Sequence, residues 1–123
     1  MKKFNILQYK KIRVEERECN LIVFLDSITD DLYTLSSKFY EKAAMFDEDT
    51  FLNLGKRIES LIDKVDKTSL GEYVKPICMR AVQDGLSKEE FEEGFTTFCE
   101  NNDIINPESL ISCALEIFDY TVC

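Results

Sequence analysis

Six apolar residues, Leu21, Leu25, Ile28, Leu32, Leu35 and Phe39, recur at intervals of four, three, four, three and four. That spacing puts all six on one stripe of an α-helix, and would scatter them over both faces of a strand. Asp26, Thr29, Asp30 and Lys38 fall off the stripe. The pattern predicts a helix from about Glu15 to about Met45, the central helix of a bundle. Three heptads of this kind also permit a coiled-coil pairing with a second copy.

The rest of the chain reads as further helices. Asp47-Glu48-Asp49-Thr50 breaks the first helix, and its Asp and Thr side chains are of the types that cap the next one. Phe51, Leu54, Ile58, Leu61 and Val65 then predict a helix from Thr50 to Asp66. Ser69-Leu70-Gly71-Glu72 has the form of a capping box, predicting a third helix that Pro76 kinks or restarts and Gly85 ends. Ser87 and Glu90 form a second capping box, with Leu86 and Phe91 placed as a hydrophobic staple and Phe91, Phe95 and Phe98 along one face. Asn106-Pro107 starts the last helix as cap and first residue, with Ile105 and Leu110 as a second staple. Ile111, Leu115, Phe118 and Val122, widened by Leu110, Ala114 and Ile117, give that helix a broad apolar face. Residues 4 to 14 fit two readings. Phe4, Ile6, Ile12 and Val14 share a strand face, whereas Phe4, Leu7, Lys11 and Val14 fit a helix.

The expectation is therefore an all-α, single-domain bundle of about five helices over residues 1–123, with a short strand or extra helix at the N-terminus. A chain of 123 residues, 45% apolar and 32% charged, can bury a core without disulfides or a structural metal. Five cysteines, Cys19, Cys78, Cys99, Cys113 and Cys123, are odd in number and lack C-x-x-C spacing, so they read as reduced thiols of a cytoplasmic protein. Cys78, Cys99 and Cys113 are expected in or near the core. No apolar run approaches a membrane span or a signal peptide, so neither a membrane nor an export route is expected.

The net charge is -9. An acidic body is repelled by phosphate backbones, which argues against nucleic acid as a direct ligand; an acidic surface suits a protein partner with a basic surface, and it also simply keeps a protein soluble. The charge is polarised. Residues 1–17 hold Lys2, Lys3, Lys10, Lys11, Arg13 and Arg17 against Glu15 and Glu16, and residues 1–14 read as a basic arm, either a partner contact or packed on its own acidic body. From Leu86 onward Lys88 stands against nine acids.

Histidine is absent, which removes the commonest general base and metal ligand. No G-x-G-x-x-G or phosphate-binding loop occurs. Asp47, Glu48 and Asp49 are the densest carboxylates, but consecutive side chains diverge, and helix capping accounts for them better than chelation. No enzyme activity, cofactor or metal is expected.

Two stretches bear a resemblance to known families. Asp84-Gly85-Leu86-Ser87-Lys88-Glu89-Glu90-Phe91, and more weakly Asn101 to Leu110, look like the second half of an EF-hand calcium loop. Neither has alternating Asp or Asn ligands ahead of a glycine, so no calcium ligand carries over. The helix pattern over Leu21–Asp31 and Glu90–Tyr120 is similar to the small helical Bcl-2-like proteins of poxviruses. That resemblance implies a helical antagonist of a host pathway. The Trp-containing glycine motif of cellular Bcl-2 proteins is absent, with Leu54-Gly55-Lys56-Arg57 at best a remnant.

The function expected is that of a small acidic module that occupies a partner protein's surface, as an inhibitor, immunity protein, anti-defence protein or host-pathway antagonist does. The candidate contacts are Glu89, Glu92, Glu93, Glu100 and Asp103. Alternatives are a helical subunit that self-associates through the Leu21–Phe39 stripe, and a viral Bcl-2-like regulator.

Overall fold

A computed structural model describes residues 6–123, without the side chain of Lys67. Phe4 and the lysines at positions 2 and 3 lie outside the described residues. The chain is dominated by helix and opens with a small antiparallel hairpin, β1 (Ile6–Tyr9) and β2 (Ile12–Glu15). Then follow α1 (Glu16–Phe46), α2 (Asp49–Lys64), a π-helical turn (Val65–Leu70), α3 (Gly71–Gln83), α4 (Lys88–Asn101) and α5 (Pro107–Val122).

The hairpin resolves the two readings of the N-terminal segment in favour of strand. Lys10, at φ 55°, and Lys11 make its two-residue turn, which pairs Tyr9 with Ile12 and Leu7 with Val14. This turn changes the parity of the strand faces. Ile12 and Val14 are buried together with Tyr9, whereas Ile6 pairs with Glu15 and stays exposed, so it does not share their face.

α2, the π turn and α3 form one uninterrupted helical run. Leu70 (φ -64°, ψ -43°) and Gly71 (φ -57°, ψ -39°) keep right-handed helical backbone. Ser69 and Glu72 therefore lie inside a helix rather than capping a new one. Leu70, Val74, Ile77, Cys78 and Ala81 are all buried in the core, and holding that face together outweighs the local capping preference. α3 also continues through Pro76, which neither restarts nor ends it. Pro76 itself has no N–H to donate to the helix ladder. Gly85, at φ 74°, does end the run.

α1 folds back on α2 through a turn at Asp47, which is left-handed (φ 51°), and the Glu48 carboxylate accepts the Thr50 N–H at 3.2 Å. The face that α1 buries is not its apolar stripe. Leu21, Leu25, Ile28, Leu32 and Phe39 are half-buried, and Leu35 is exposed. The buried positions are Glu18, Cys19, Ile22, Asp26, Thr29 and Ser36, about a quarter-turn round the helix. Cys19 and Ile22 join the apolar core, whereas Asp26, Thr29 and Ser36 are small polar side chains with hydrogen-bond partners of their own. Thr29 Oγ1 donates to Asp66 at 3.3 Å, and Ser36 Oγ donates to the Gly55 carbonyl at 3.2 Å. The Tyr40 ring packs flat on Gly55, 3.2 Å from where a Cβ would stand. The missing side chain at Gly55 leaves room for that ring against α2.

The main core lies elsewhere. The β-hairpin and the first two turns of α1 close over α3, α4 and α5, around Phe91, Phe95, Phe98, Leu110 and Phe118. Phe91 stacks on Phe118 with ring centroids 4.6 Å apart. α2 contributes nothing to this cluster, and α1 only its N-terminal part. The far halves of α1 and α2 thus form a two-helix arm.

Candidate protein-binding surface

α4 carries the candidate contacts, and its start is built as the sequence predicts. The Ser87 hydroxyl accepts the Glu90 N–H at 3.2 Å, and the Glu90 carboxylate accepts the Ser87 N–H at 3.1 Å. This capping box and the Gly85 turn account for the EF-hand-like stretch. Leu86 and Phe91 join the same apolar cluster, as a staple requires. With Phe91, Gly94, Phe95 and Phe98 buried, the opposite side of α4 faces solvent.

The five candidate acids do not behave alike. Glu93 receives Lys10 Nζ at 2.7 Å, and its neighbour Glu90 is bound by Lys11. The two lysines of the hairpin turn therefore neutralise one flank of α4 and hold both carboxyls below their usual range, chiefly through hydrogen bonding to the ammonium groups. Arg13 makes a two-pronged bond to Asp84 at 3.0 and 3.1 Å, and Lys88 binds Asp119 at 2.8 Å. In its described part, the basic N-terminal segment places Lys10, Lys11 and Arg13 on Glu93, Glu90 and Asp84 of the same chain. These pairs are exposed to solvent, which screens them, so each adds little to stability.

Glu89, Glu92, Glu100 and Asp103 have no ion-pair partner among the described residues. With Thr96 they form a ridge along the outer side of α4. Beside it lies a notch between α4 and the start of α5. Cys99, Ile104, Pro107 and Ile111 supply an apolar floor, and Glu100, Asp103 and Glu108 stand round it.

The α4–α5 loop gives the notch its shape. Asp103 takes a left-handed conformation, φ 52°, and turns the chain so that Ile104 is buried and Ile105 is 53% exposed. Ile105 is thus no staple for Leu110. Asn106 occupies the cap position of α5 but makes no side-chain cap bond. The restraint comes from α1 instead, where the buried Asp26 carboxylate accepts the Ile105 N–H at 2.8 Å. At the other end of the loop, Asn102 donates to the Tyr9 hydroxyl at 3.1 Å and to the Phe98 carbonyl at 2.8 Å, while Cys19 donates to its side-chain oxygen at 3.2 Å. Burial raises the Tyr9 and Cys19 groups, so this knot is uncharged.

Asp26, Gly94 and Arg80 position the surface, and sequence reading missed all three. Asp26 falls off the apolar stripe of its helix, and Arg80 pairs with partners 62 and more residues away. A glycine inside a helical pattern is the one local hint of close backbone approach.

The five cysteines are free, with Cys19, Cys78 and Cys99 buried, Cys113 half-buried and Cys123 exposed. Burial pushes the Cys78 and Cys99 thiols up to about 12, which keeps both protonated and unreactive. Asp47, Glu48 and Asp49 serve the turn into α2. Among the described residues no group of three or more Cys, Asp or Glu side chains could hold a metal ion, and no helix is long and apolar enough to cross a membrane. Comparisons with protein-family models, with curated proteins and with solved structures find no match.

Proposed function

We propose that this protein works by occupying a basic surface of a partner protein through the acidic ridge of α4 and the adjoining notch. The reading rests on one contrast. Carboxylates on the hairpin side of α4 are neutralised internally by Lys10 and Lys11, whereas Glu89, Glu92, Glu100 and Asp103 are left to solvent. Glu89, Glu92 and Glu100 lie along one helix with Asp103 just past its end; such unpaired like charges repel one another, and a cationic partner relieves that repulsion. The notch suits the anchor of such a partner. A lysine or arginine can lay its aliphatic stem on Ile104 and Ile111 and set its charge among Glu100, Asp103 and Glu108. Binding of this kind acts as a block, in the manner of an inhibitor or antagonist, and needs no catalytic group on the chain.

The test is an affinity capture from native cell or host lysate, read by mass spectrometry. The wild type runs beside a Glu89→Lys, Glu92→Lys, Glu100→Lys variant. These positions are exposed, so the variant retains its fold, which circular dichroism verifies. The expected result is a partner captured by the wild type, lost with the variant and weakened by added salt. Equal capture by both proteins removes the ridge from the interface.

A further inference from the structure

The notch between α4 and α5 differs from the ridge beside it in having an apolar floor. Ile104, Pro107 and Ile111 lie under an opening of about 340 Å³, and Glu100, Asp103 and Glu108 stand round its edge. One turn of a helix 10 Å across fills about 400 Å³, so the notch admits a single side chain and not a whole element of a partner. Its three acids come from three segments. Glu100 belongs to the last turn of α4, Asp103 to the loop and Glu108 to the first turn of α5. They therefore ring the floor rather than line one side of it.

Two of these acids are poorly placed for their own helix. A helix C-terminus carries partial negative charge and favours cations. The last turn of α4 holds Glu100 and no basic residue, and Asp103 follows just past its end. Neither has an ion-pair partner among the described residues. Glu108, by contrast, sits in the first turn of α5, where an acid is favoured. The α4 end of the notch is thus short of a positive charge.

We infer that the notch takes an arginine of the partner in preference to a lysine. The inference rests on the partner contact proposed above and names its anchor. A guanidinium is planar, weakly hydrated and carries five N–H donors in its plane. Laid flat on Ile104, Pro107 and Ile111, it keeps its face on apolar surface and directs its donors outward to the surrounding carboxylates. An ammonium is a compact, strongly hydrated point charge, and the same floor strips water from it without replacing those hydrogen bonds. The notch is also preformed, which lowers the ordering cost of binding. Asp26 holds the Ile105 N–H at 2.8 Å, and Asn102 is held by Tyr9 at 3.1 Å and Cys19 at 3.2 Å, so both ends of the loop are fixed.

Amide chemical-shift titration of the full chain tests the inference with two capped peptides, Gly-Gly-Arg-Gly-Gly and Gly-Gly-Lys-Gly-Gly. The arginine peptide should shift the amides of Ile104, Ile105 and Ile111 saturably, and bind at least about threefold more tightly than the lysine peptide. Glu100→Gln and Asp103→Asn should each weaken its binding by about threefold or more. Both positions are exposed, and asparagine tolerates the left-handed backbone at position 103, so both variants keep the fold. Glu89→Gln, on the ridge away from the notch, should bind the peptide as the wild type does. Equal affinity for the two peptides overturns the inference, as does the absence of a saturable shift at the notch, or binding that both notch variants retain. The lysate capture fails separately. A partner captured without any arginine preference in the titration removes the anchor and leaves the ridge, whereas an arginine preference without a captured partner removes the ridge and leaves the notch.

Discussion

Gly94 of α4 lies directly under the carbonyl oxygen of Tyr9, the last residue of β1. A Cβ at position 94 would stand 2.8 Å from that oxygen and 3.0 Å from Ile12 Cγ2. The missing side chain is what lets the hairpin lie flat on α4, and so what brings Lys10 and Lys11 within reach of Glu93 and Glu90.

Gly94→Ala should therefore destabilise the protein, although alanine is the better helix former by about 1 kcal/mol. The clash involves backbone, which yields less readily than a side chain, and overpacking of this kind typically costs about 1–3 kcal/mol. Urea denaturation should show a net loss and a lower midpoint. A gain in stability would mean that the hairpin does not sit against Gly94.

Arg80 ties three elements together. Its guanidinium binds Glu18 at the start of α1, approaches Glu15 at 3.8 Å, and donates to the Arg13 carbonyl of β2 at 3.4 Å. Glu18 is buried, so removing Arg80 would leave a carboxylate in the interior without its ion-pair partner. Arg80→Met keeps the aliphatic stem and removes the charge. It should cost about 3 kcal/mol, the lower end for breaking a buried pair. Adding Glu18→Gln should recover much of the loss, because no buried charge is then stranded. Urea denaturation of the two variants measures both effects, and a recovery near zero would show that the pair is of little consequence.

Asp66 gives stability a pH dependence. Its carboxyl is raised above the ordinary value of 3.8, mainly by burial, with Asp63 and Asp26 adding repulsion and the Thr29 hydrogen bond opposing both. A group whose folded pKa is raised favours folding in its protonated form, below the unfolded pKa. That contribution is lost as pH rises through the folded value. At neutral pH the ionised Asp66 thus works against the fold. Asp66→Asn, which can still accept from Thr29, should raise the thermal midpoint at neutral pH. The advantage should shrink as pH falls toward 3.8 and the wild-type carboxyl takes up its proton. An advantage that does not vary with pH would assign the effect to packing instead.

The helices were legible in the sequence because helix formation is signalled locally. The four-three spacing from Leu21 to Phe39, the Ser87–Glu90 box, the Gly85 stop and the start of α5 at Pro107 all stand where their residues predict. Each depends on residues within about a turn of one another. The acidic side of α4 was legible for the same reason, since Phe91, Phe95 and Phe98 mark the opposite side as buried.

Where distant parts of the chain compete, only the tertiary structure decided. Ser69 and Glu72 have the residues of a capping box, yet Leu70 and Val74 are drawn into one core and keep the helix unbroken. Glu93 and Glu89 look equivalent along the sequence, and only the hairpin turn distinguishes them, by bringing Lys10 to one and not the other. The face of α1 that is buried was set by Gly55, Asp66 and the Ile105 amide, whose partners are Ser36, Thr29 and Asp26. Periodicity finds the most apolar side of a helix. It does not find which side its neighbours can approach most closely, and here that is the side with small polar residues.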